Sequence, residues 1–381
     1  MKIGVIKIGA RIAFGASDTS GGSGEARRVC QMLAEGGAEV HIFTKILKKD
    51  TLVPLYHWHD IVPEADKIND LSIDAFVVIN GSTNYFGGAP ADEATINYKI
   101  INEFKGPVFY IYCDPNLSFR QIWPVVEAKN PIWEEKFKAR TWSKEEIDVT
   151  REDVFVICQS YNTEHAASQF EKKSFVKLRG IENYPFDRFP LLEDKPTLVW
   201  EPSVDLSYGG TMRGGKREKK LIDFYFGYPQ DISVEVFGKI KADDFNPKKV
   251  GDLRHPTYSG AVPFNEMVDK MSQAFAHVVI GDEAYSKFDI MSQRTYEAVL
   301  AGCVTFIDES LDVNKRMYGG NKELSGLLYV KDRNDVIERI RMLKDVGVGA
   351  GREIANDILN HWNFDRAEYC KGFVELIKKN M

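Results

Sequence analysis

The 381-residue sequence predicts an α/β protein built from two successive doubly wound, Rossmann-like domains. Three observations carry this. Short apolar, β-branched runs alternate with helix-length segments, the signature of parallel βαβ units. The alternation is broken by "NYPFDRFPLLEDKPTLVWEP", Asn183 to Pro202, which has four prolines and no clear period. After that break the same alternation starts again.

In chain order, the first half gives strands near Lys2–Ile8, Val40–Phe43, Ala75–Asn80, Val108–Cys113 and Val154–Cys158. Helical patterns lie between them near Glu25–Glu35, Glu93–Phe104 and Thr163–Glu171. The boundary falls at Pro190–Pro196, so residues 1–190 form the first domain and residues 191–363 the second. Strands of the second half are expected near Val204–Ser207, Val234–Phe237, His277–Ile280, Val304–Ile307 and Leu327–Val330. Its helices are expected near Arg217–Phe226, Phe264–Ala274, Arg294–Leu300 and Asp335–Lys344. From Arg352 to Lys379 the chain reads as helix with a break near Asn363–Phe364, and residues 364–381 are expected to pack back on the first domain. Two such domains facing a central cleft describe the GT-B architecture of nucleotide-sugar transferases. Dehydrogenases and periplasmic binding proteins also pair α/β domains, so architecture by itself does not choose among them.

Composition excludes several classes. Hydrophobic residues at 44% and charged residues at 28% match an ordinary globular protein. No apolar run approaches the ~20 residues of a membrane span. "MKIGVIKIGA" reads as a first strand rather than a signal peptide. The five cysteines are scattered and odd in number, which suits a reducing cytoplasm and gives no disulfide or zinc framework. A net charge of −6 argues against a nucleic-acid coat protein but leaves room for a local basic face. Such a face could come from Lys45, Lys48 and Lys49, from Lys172, Lys173, Lys177 and Arg179, or from Lys239, Lys241, Lys248, Lys249 and Arg254. Solvated surface lysines account for most such runs. No D-x-D triplet occurs. His57 and His59 flank Trp58 with no third histidine close in sequence and read as surface residues, so no protein metal centre is expected.

Four segments carry chemistry. "SYGGTMRGGKREKK", Ser207 to Lys220, reads as a strand end, a glycine turn and a helix entry. Such a turn sets backbone N–H groups at the positive end of a helix, and Arg213 and Arg217 can converge on one phosphate. It matches neither G-x-G-x-x-G nor the P-loop pattern, and a flexible basic loop fits the same residues. "GDEAYSKFDIMSQRTYEAVLAGCVTFIDE" places Asp282 and Tyr285 after a strand and Arg294 and Glu297 three apart on a helix. The pair suits a ribose and a phosphate, or else a surface ion pair. "VVINGSTNYFGGAP" offers Asn84, Tyr85 and Phe86 on a glycine-rich loop at a strand's carboxyl end, where α/β folds bind ligands. In "VFYIYCDPNLSFRQIWP", Asp114 follows an apolar strand, as a general base or as a turn aspartate before proline.

Taken in order, these segments resemble the DNA β-glucosyltransferase family of T-even bacteriophages, most closely in "NGSTNYFGG", "QIWP", "YGGTMRGGKRE" and "VVIGDEAY…RTYEAV…FIDE". The resemblance runs nearly end to end. It implies a GT-B enzyme that moves a sugar, with inversion, from a UDP-sugar to 5-hydroxymethylcytosine in double-stranded DNA and turns the base out of the helix. It makes Asp114 the general base and sets Glu25 beside the sugar. It assigns Gly210, Thr211, Arg213 and Arg217 to the diphosphate, Arg294 to a further phosphate contact, Glu297 to the ribose and the Val262 backbone to uracil. Asp282 and Tyr285 fall near the donor, and Asn84 and Phe86 in the loop that enters DNA at the flipped base. A magnesium or manganese ion assisting the leaving group, a monomer and action in the host cytoplasm follow from the same likeness.

The chain departs from the family pattern at Asn116, where the family's best-known member has an arginine, in the glycine-rich Ser20–Gly24 and in the length of the interdomain segment. These surround the sugar, so glucose and a pentose such as arabinose both remain open. A GT-B enzyme acting on a small molecule, lipid or protein, and a catalytically silent nucleotide- or DNA-binding protein, are the other classes the sequence admits.

Overall fold

A computed structural model of the chain describes residues 1–7, 21–44, 56–60, 65–79, 98–112, 149–174, 176–185, 202–211, 217–263, 266–281, 283–347, 349–362 and 365–381. The chain divides into two compact units. In the first, β1 (Lys2–Lys7), β2 (Glu39–Thr44), β3 (Tyr56–Asp60), β4 (Ala75–Ile79), β5 (Val108–Tyr112), β6 (Val154–Cys158) and β7 (Leu178–Asn183) form one parallel sheet. Their order is β3-β2-β1-β4-β5-β6-β7. In the second, β8 (Val204–Thr211), β9 (Val234–Lys239), β10 (Thr257–Tyr258), β11 (Ala274–Val279), β12 (Val304–Asp308) and β13 (Tyr329–Val330) form another, also parallel. Its order is β10-β9-β8-β11-β12-β13.

Both sheets are wound the same way. The chain starts in the middle, steps outward over three strands, then crosses back and steps out on the other side. The reversal leaves a switch point between β1 and β4 and another between β8 and β11, where crossovers diverge at the carboxyl ends of the strands. The inner strands are buried on both faces and therefore read as unbroken apolar runs: AFVVI in β4, VFYIY in β5, VFVIC in β6 and VTFID in β12.

The principal helices are α1 (Gly21–Glu35), α2 (Thr163–Ser174), α3 (Glu218–Tyr225), α4 (Met267–Ser272), α5 (Glu283–Phe288), α6 (Gln293–Leu300), α7 (Lys322–Leu328), α8 (Arg333–Val346), α9 (Ala350–Trp362) and α10 (Arg366–Lys379). Helix α10 belongs to the first unit although it ends the chain. It lies against α1 at Gly36, where an added Cβ would stand 2.4 Å from the Cys370 carbonyl oxygen. Arg366 pairs with Glu35 at 2.6 Å, and the Tyr184 ring meets Tyr369 and Phe373 with centroids 5.0 Å away in each case.

Two strand expectations are corrected: Leu327 and Leu328 end helix α7, so β13 is Tyr329–Val330 alone, and β8 is longer than expected. The strand expected to stop near Ser207 runs on to Thr211, so Gly209 and Gly210 are strand residues paired with Phe237 and Gly238, not a turn. The reason is steric. The Phe237 ring occupies the space of a Gly209 side chain, with Cε2 2.5 Å from where Cβ would be, and the Tyr208 ring does the same over Gly210. Gly238 adopts φ 115° and faces the Gly210 carbonyl oxygen at 2.0 Å from its own missing Cβ. An L side chain there meets both an unfavourable dihedral and the backbone of the neighbouring strand. Gly238→Ala should therefore destabilise the second unit by about 1–3 kcal/mol. Its urea midpoint should fall with the slope unchanged. A variant as stable as the parent would mean that β8 and β9 can part at Gly210 without cost.

Candidate active site

The described candidates in the second unit all follow the carboxyl ends of its strands. Arg217 stands at the N-cap of α3 with φ −97° and ψ −4°, and its own side chain makes no capping hydrogen bond. The first-turn N–H groups of α3 thus keep the partial positive charge that attracts an anion. Arg217 is buried, its carbonyl accepts from the Leu221 N–H at 2.9 Å, and its guanidinium lies 5.6 Å from the centroid of the Tyr285 ring. Tyr285 is buried on α5, the helix after β11. This cation–π contact ties the segment leaving β8 to the segment leaving β11, across the switch point.

Helix α6 supplies the second group. Arg294 and Gln293 both donate to Glu297, one to each carboxylate oxygen. The pair is not the solvated surface pair that its spacing also allowed: the Glu297 side chain is 9% exposed and that of Arg294 25%. Behind Arg294 stands His277 of β11, in register with Ser207 of β8 and with its ring stacked on Tyr208 at 6.1 Å and 6°. Burial, and then the Arg294 charge, push the His277 pKa down to about 3, while the Ser207 backbone acts the other way. Ser207 Oγ, His277 Nδ1 and Thr295 Oγ1 are buried with no hydrogen-bond partner among the described residues.

Gly210 and Thr211 end β8 itself. Val262, after β10, packs half-buried on a cluster that includes Phe237 of β9 and Ala298 and Ala301 at the end of α6. Among the described residues its peptide N–H and C=O have no hydrogen-bond partner. Asp308, at the carboxyl end of β12, pairs with Lys220 of α3 at 2.5 Å and accepts from the Ser310 N–H at 3.0 Å.

The structure therefore brings Gly210, Thr211, Arg217, Tyr285, Arg294 and Glu297 to one edge of one sheet. Asp114, Arg213, Asp282, Asn84, Phe86 and Asn116 lie outside the described residues, and Glu25 is seen only as a backbone position of α1. His277 and Asp308 were not singled out from sequence. The signal for His277 was a lone polar residue inside the apolar strand AFAHVV. Of the basic groups, Arg179 is engaged with the Asn380 carbonyl, Lys249 with Glu218, and Arg254 with the Pro229 carbonyl at 2.7 Å.

Residues 1–190 match the family described as Bacteriophage T4 beta-glucosyltransferase. Over 317 residues the chain is 30% identical to the DNA beta-glucosyltransferase of Enterobacteria phage T4, covering 82% of this chain and 85% of that one. The chain belongs to the T4 beta-glucosyltransferase family. Solved structures agree along the whole length. T4 phage BGT in complex with UDP and Mn2+ superposes with a TM-score of 0.78 at 26% identity, covering 98% of this chain and 99% of that one. The same enzyme in complex with UDP-glucose gives 0.78 at 25% identity over the same shares. An O-GlcNAc transferase mutant from Thermobaculum terrenum, at TM-score 0.53 and 10% identity over 100% of this chain and 67% of that one, shares the fold alone. The fold of this T4 beta-glucosyltransferase family member is GT-B.

The neutral His277 gives a pH signature. Its folded pKa of about 3 lies below the 6.5 of a free imidazole, so between those values the unfolded chain holds a proton that the folded chain does not. Stability from this group is complete above pH 6.5 and is lost as pH falls toward 3, with a slope of up to about 1.4 kcal/mol per pH unit. His277→Gln should flatten the acid limb of the stability curve between pH 6 and pH 4, measured by urea unfolding at each pH. An unchanged limb would mean that His277 protonates freely in the folded state.

Proposed function

We propose that this protein is a UDP-glucose-dependent DNA β-glucosyltransferase, acting with inversion on 5-hydroxymethylcytosine in duplex DNA inside the infected host. The observation that carries the reading is the gathering of Arg217, Arg294 and Glu297 about the β8–β11 switch point, beside the start of α3. The family relationship adds the acceptor and the sugar, because the curated relative is a DNA beta-glucosyltransferase and a solved relative holds UDP-glucose.

In this reading the diphosphate sits against the end of β8 and the start of α3, met by Gly210, Thr211, Arg213, Arg217 and Arg294. Glu297 accepts from the ribose hydroxyls, the Val262 peptide meets uracil, and Asp282 and Tyr285 flank the donor. Asp114 removes the proton from the hydroxymethyl group as its oxygen attacks the anomeric carbon from the face opposite UDP. Glu25 lies beside the sugar. Negative charge gathering on the departing diphosphate is met by guanidinium groups already in place, so little reorganisation is needed as it forms. Asn84 and Phe86 enter the duplex where the base has turned out.

A relative binds Mn2+ together with UDP. Among the described residues at this sheet edge, Glu297 is already met by Arg294 and Gln293, Asp308 by Lys220, Glu218 by Lys249 and Glu283 by Lys287. They form no protein cage for a divalent ion, and an ion bound with the donor would be held through the oxygens of its diphosphate.

Three measurements test the proposal. Each UDP-sugar, glucose and arabinose included, is offered with hydroxymethylated and plain duplex DNA, and the nucleosides are read by mass spectrometry. Glucosylation confined to hydroxymethylated DNA is expected. Transfer of arabinose would change the sugar, and no transfer to any DNA would sink the assignment. Arg217→Ala should weaken UDP binding about ten- to a hundredfold, the loss of one charge-assisted contact. An unchanged titration would remove Arg217 from the donor site. Asp114→Asn should lower kcat by about two to four orders of magnitude with UDP affinity retained. A variant that keeps most of its turnover would move the base elsewhere, with Glu25 the first place to look.

A further inference from the structure

The sequence reading left His57 and His59 without a third histidine, and the fold supplies one. Strands β2 and β3 pair in parallel with His41 opposite His57 and Phe43 opposite His59. Side chains two apart on a strand share a face, so Glu39, His41, His57 and His59 all stand on one face of the sheet, at its β3 edge. The rings are ordered: His41 stacks on His57 with centroids 4.7 Å apart, and Phe43 stacks on His59 at 4.6 Å.

The ligand atoms already converge. His41 Nε2 lies 3.0 Å from Glu39 Oε1, and His57 Nε2 lies 3.6 Å from that same oxygen. One atom from each of Glu39, His41 and His57 falls within 4.8 Å of the others. Ligands about 2.0–2.1 Å from a tetrahedral zinc ion stand roughly 3.3 Å from one another, and the two measured separations bracket that value. The nitrogen of His41 that faces away is also engaged: Nδ1 is 2.9 Å from His59 Nε2. A ligating histidine ordinarily gives its other N–H to such a partner, which fixes both tautomer and ring orientation.

We infer that Glu39, His41 and His57 form a binding site for a divalent cation of the zinc class, with His59 holding His41 in its ligating tautomer. Two imidazoles and one carboxylate are a donor set that zinc favours, and they leave a fourth position for water. The site shares no residue with the proposed donor site and lies on the β2–β3 edge of the first unit's sheet. The His57 side chain is 59% exposed and that of Glu39 43%, so an ion can reach it from solvent, while His41 at 10% gives it a fixed base. Lys2 approaches Glu39 to 3.9 Å but is itself 42% exposed, free to turn away when a cation arrives. The ion would link an edge strand of five residues to its neighbour, where one flank of β3 has no strand paired to it among the described residues.

The test uses the untagged full chain without nucleotide. Zinc chloride is titrated by calorimetry, and cobalt(II) is added in parallel to read the visible bands of a tetrahedral site. One equivalent of zinc, with a melting temperature that rises on its addition, is expected. His57→Ala should weaken zinc binding at least tenfold and abolish that rise. His59→Ala should weaken it about ten- to a hundredfold while leaving the three ligands in place. His41→Ala removes a buried side chain and is informative if its far-UV circular dichroism is unchanged. His57 is exposed, so its variant keeps the test alive if that one fails to fold. No uptake, uptake equal in wild type and His57→Ala, or uptake that requires UDP would each overturn the site. The cluster would then be the hydrogen-bonded chain Glu39–His41–His59 and nothing more.

Discussion

Parallel pairing around a reversal in strand order is the constraint on which the second unit depends. Because β8 and β11 are neighbours, the segments that leave their carboxyl ends diverge, and whatever stands there can be reached by a ligand. Arg217 and Tyr285 come from those two segments and meet across the gap. The approach of β8 to β9 at Gly210 and Gly238 brings bare backbone to the same edge, where no side chain would fit between the strands. Fold and site are therefore one arrangement: the glycines let β8 run to Thr211 beneath the Phe237 and Tyr208 rings, and so carry its end to the edge where Arg217 and Tyr285 meet.

How much was legible in the sequence follows from burial. The inner strands announce themselves because both faces are dry, so β4, β5, β6 and β12 carry apolar residues without alternation. The strands that the sequence hid are YHWHD in β3, LRGIEN in β7 and TY in β10, and all three lie at sheet edges. An edge strand has one free flank and fewer residues to bury, so neither period nor composition marks it. The residues of the proposed donor site were legible as motif and likeness, but their state was not. Spacing alone could not distinguish a surface Arg294–Glu297 pair from the largely buried one found. Nor could it show that Gly209 and Gly210 lie under aromatic rings within a strand.

His41 illustrates the same limit at longer range. Its partners are Glu39, His57 and His59, and the contacts with β3 exist only because β3, itself unmarked in sequence, pairs with β2 in one register. A shift of that register by one residue would send His57 and His59 to the opposite face. A cluster built across two strands is written in the pairing, not in any local run of residues.

The electrostatics of the proposed donor site rest on pairs that exist before any ligand binds. Glu297 is held by Arg294 and Gln293, and Arg294 in turn faces a histidine that burial keeps neutral. If His277 carried a proton, two cations would share a dry pocket, and the pocket would repel itself when empty. With His277 neutral, the Arg294 charge is met by Glu297, and in the proposed reading an incoming phosphate shares the guanidinium without displacing it. Removing one member of such a buried pair leaves the other uncompensated, so a large loss on truncation of Glu297 would mix the ribose contact with a displaced Arg294. The isosteric Glu297→Gln keeps the shape and the capacity to accept hydrogen bonds while it removes the charge, so it isolates the part of the role that depends on charge. A donor affinity that falls far more in Glu297→Ala than in Glu297→Gln would assign most of the role of Glu297 to its hydrogen bonds, to Arg294 and to the ribose together, rather than to its negative charge.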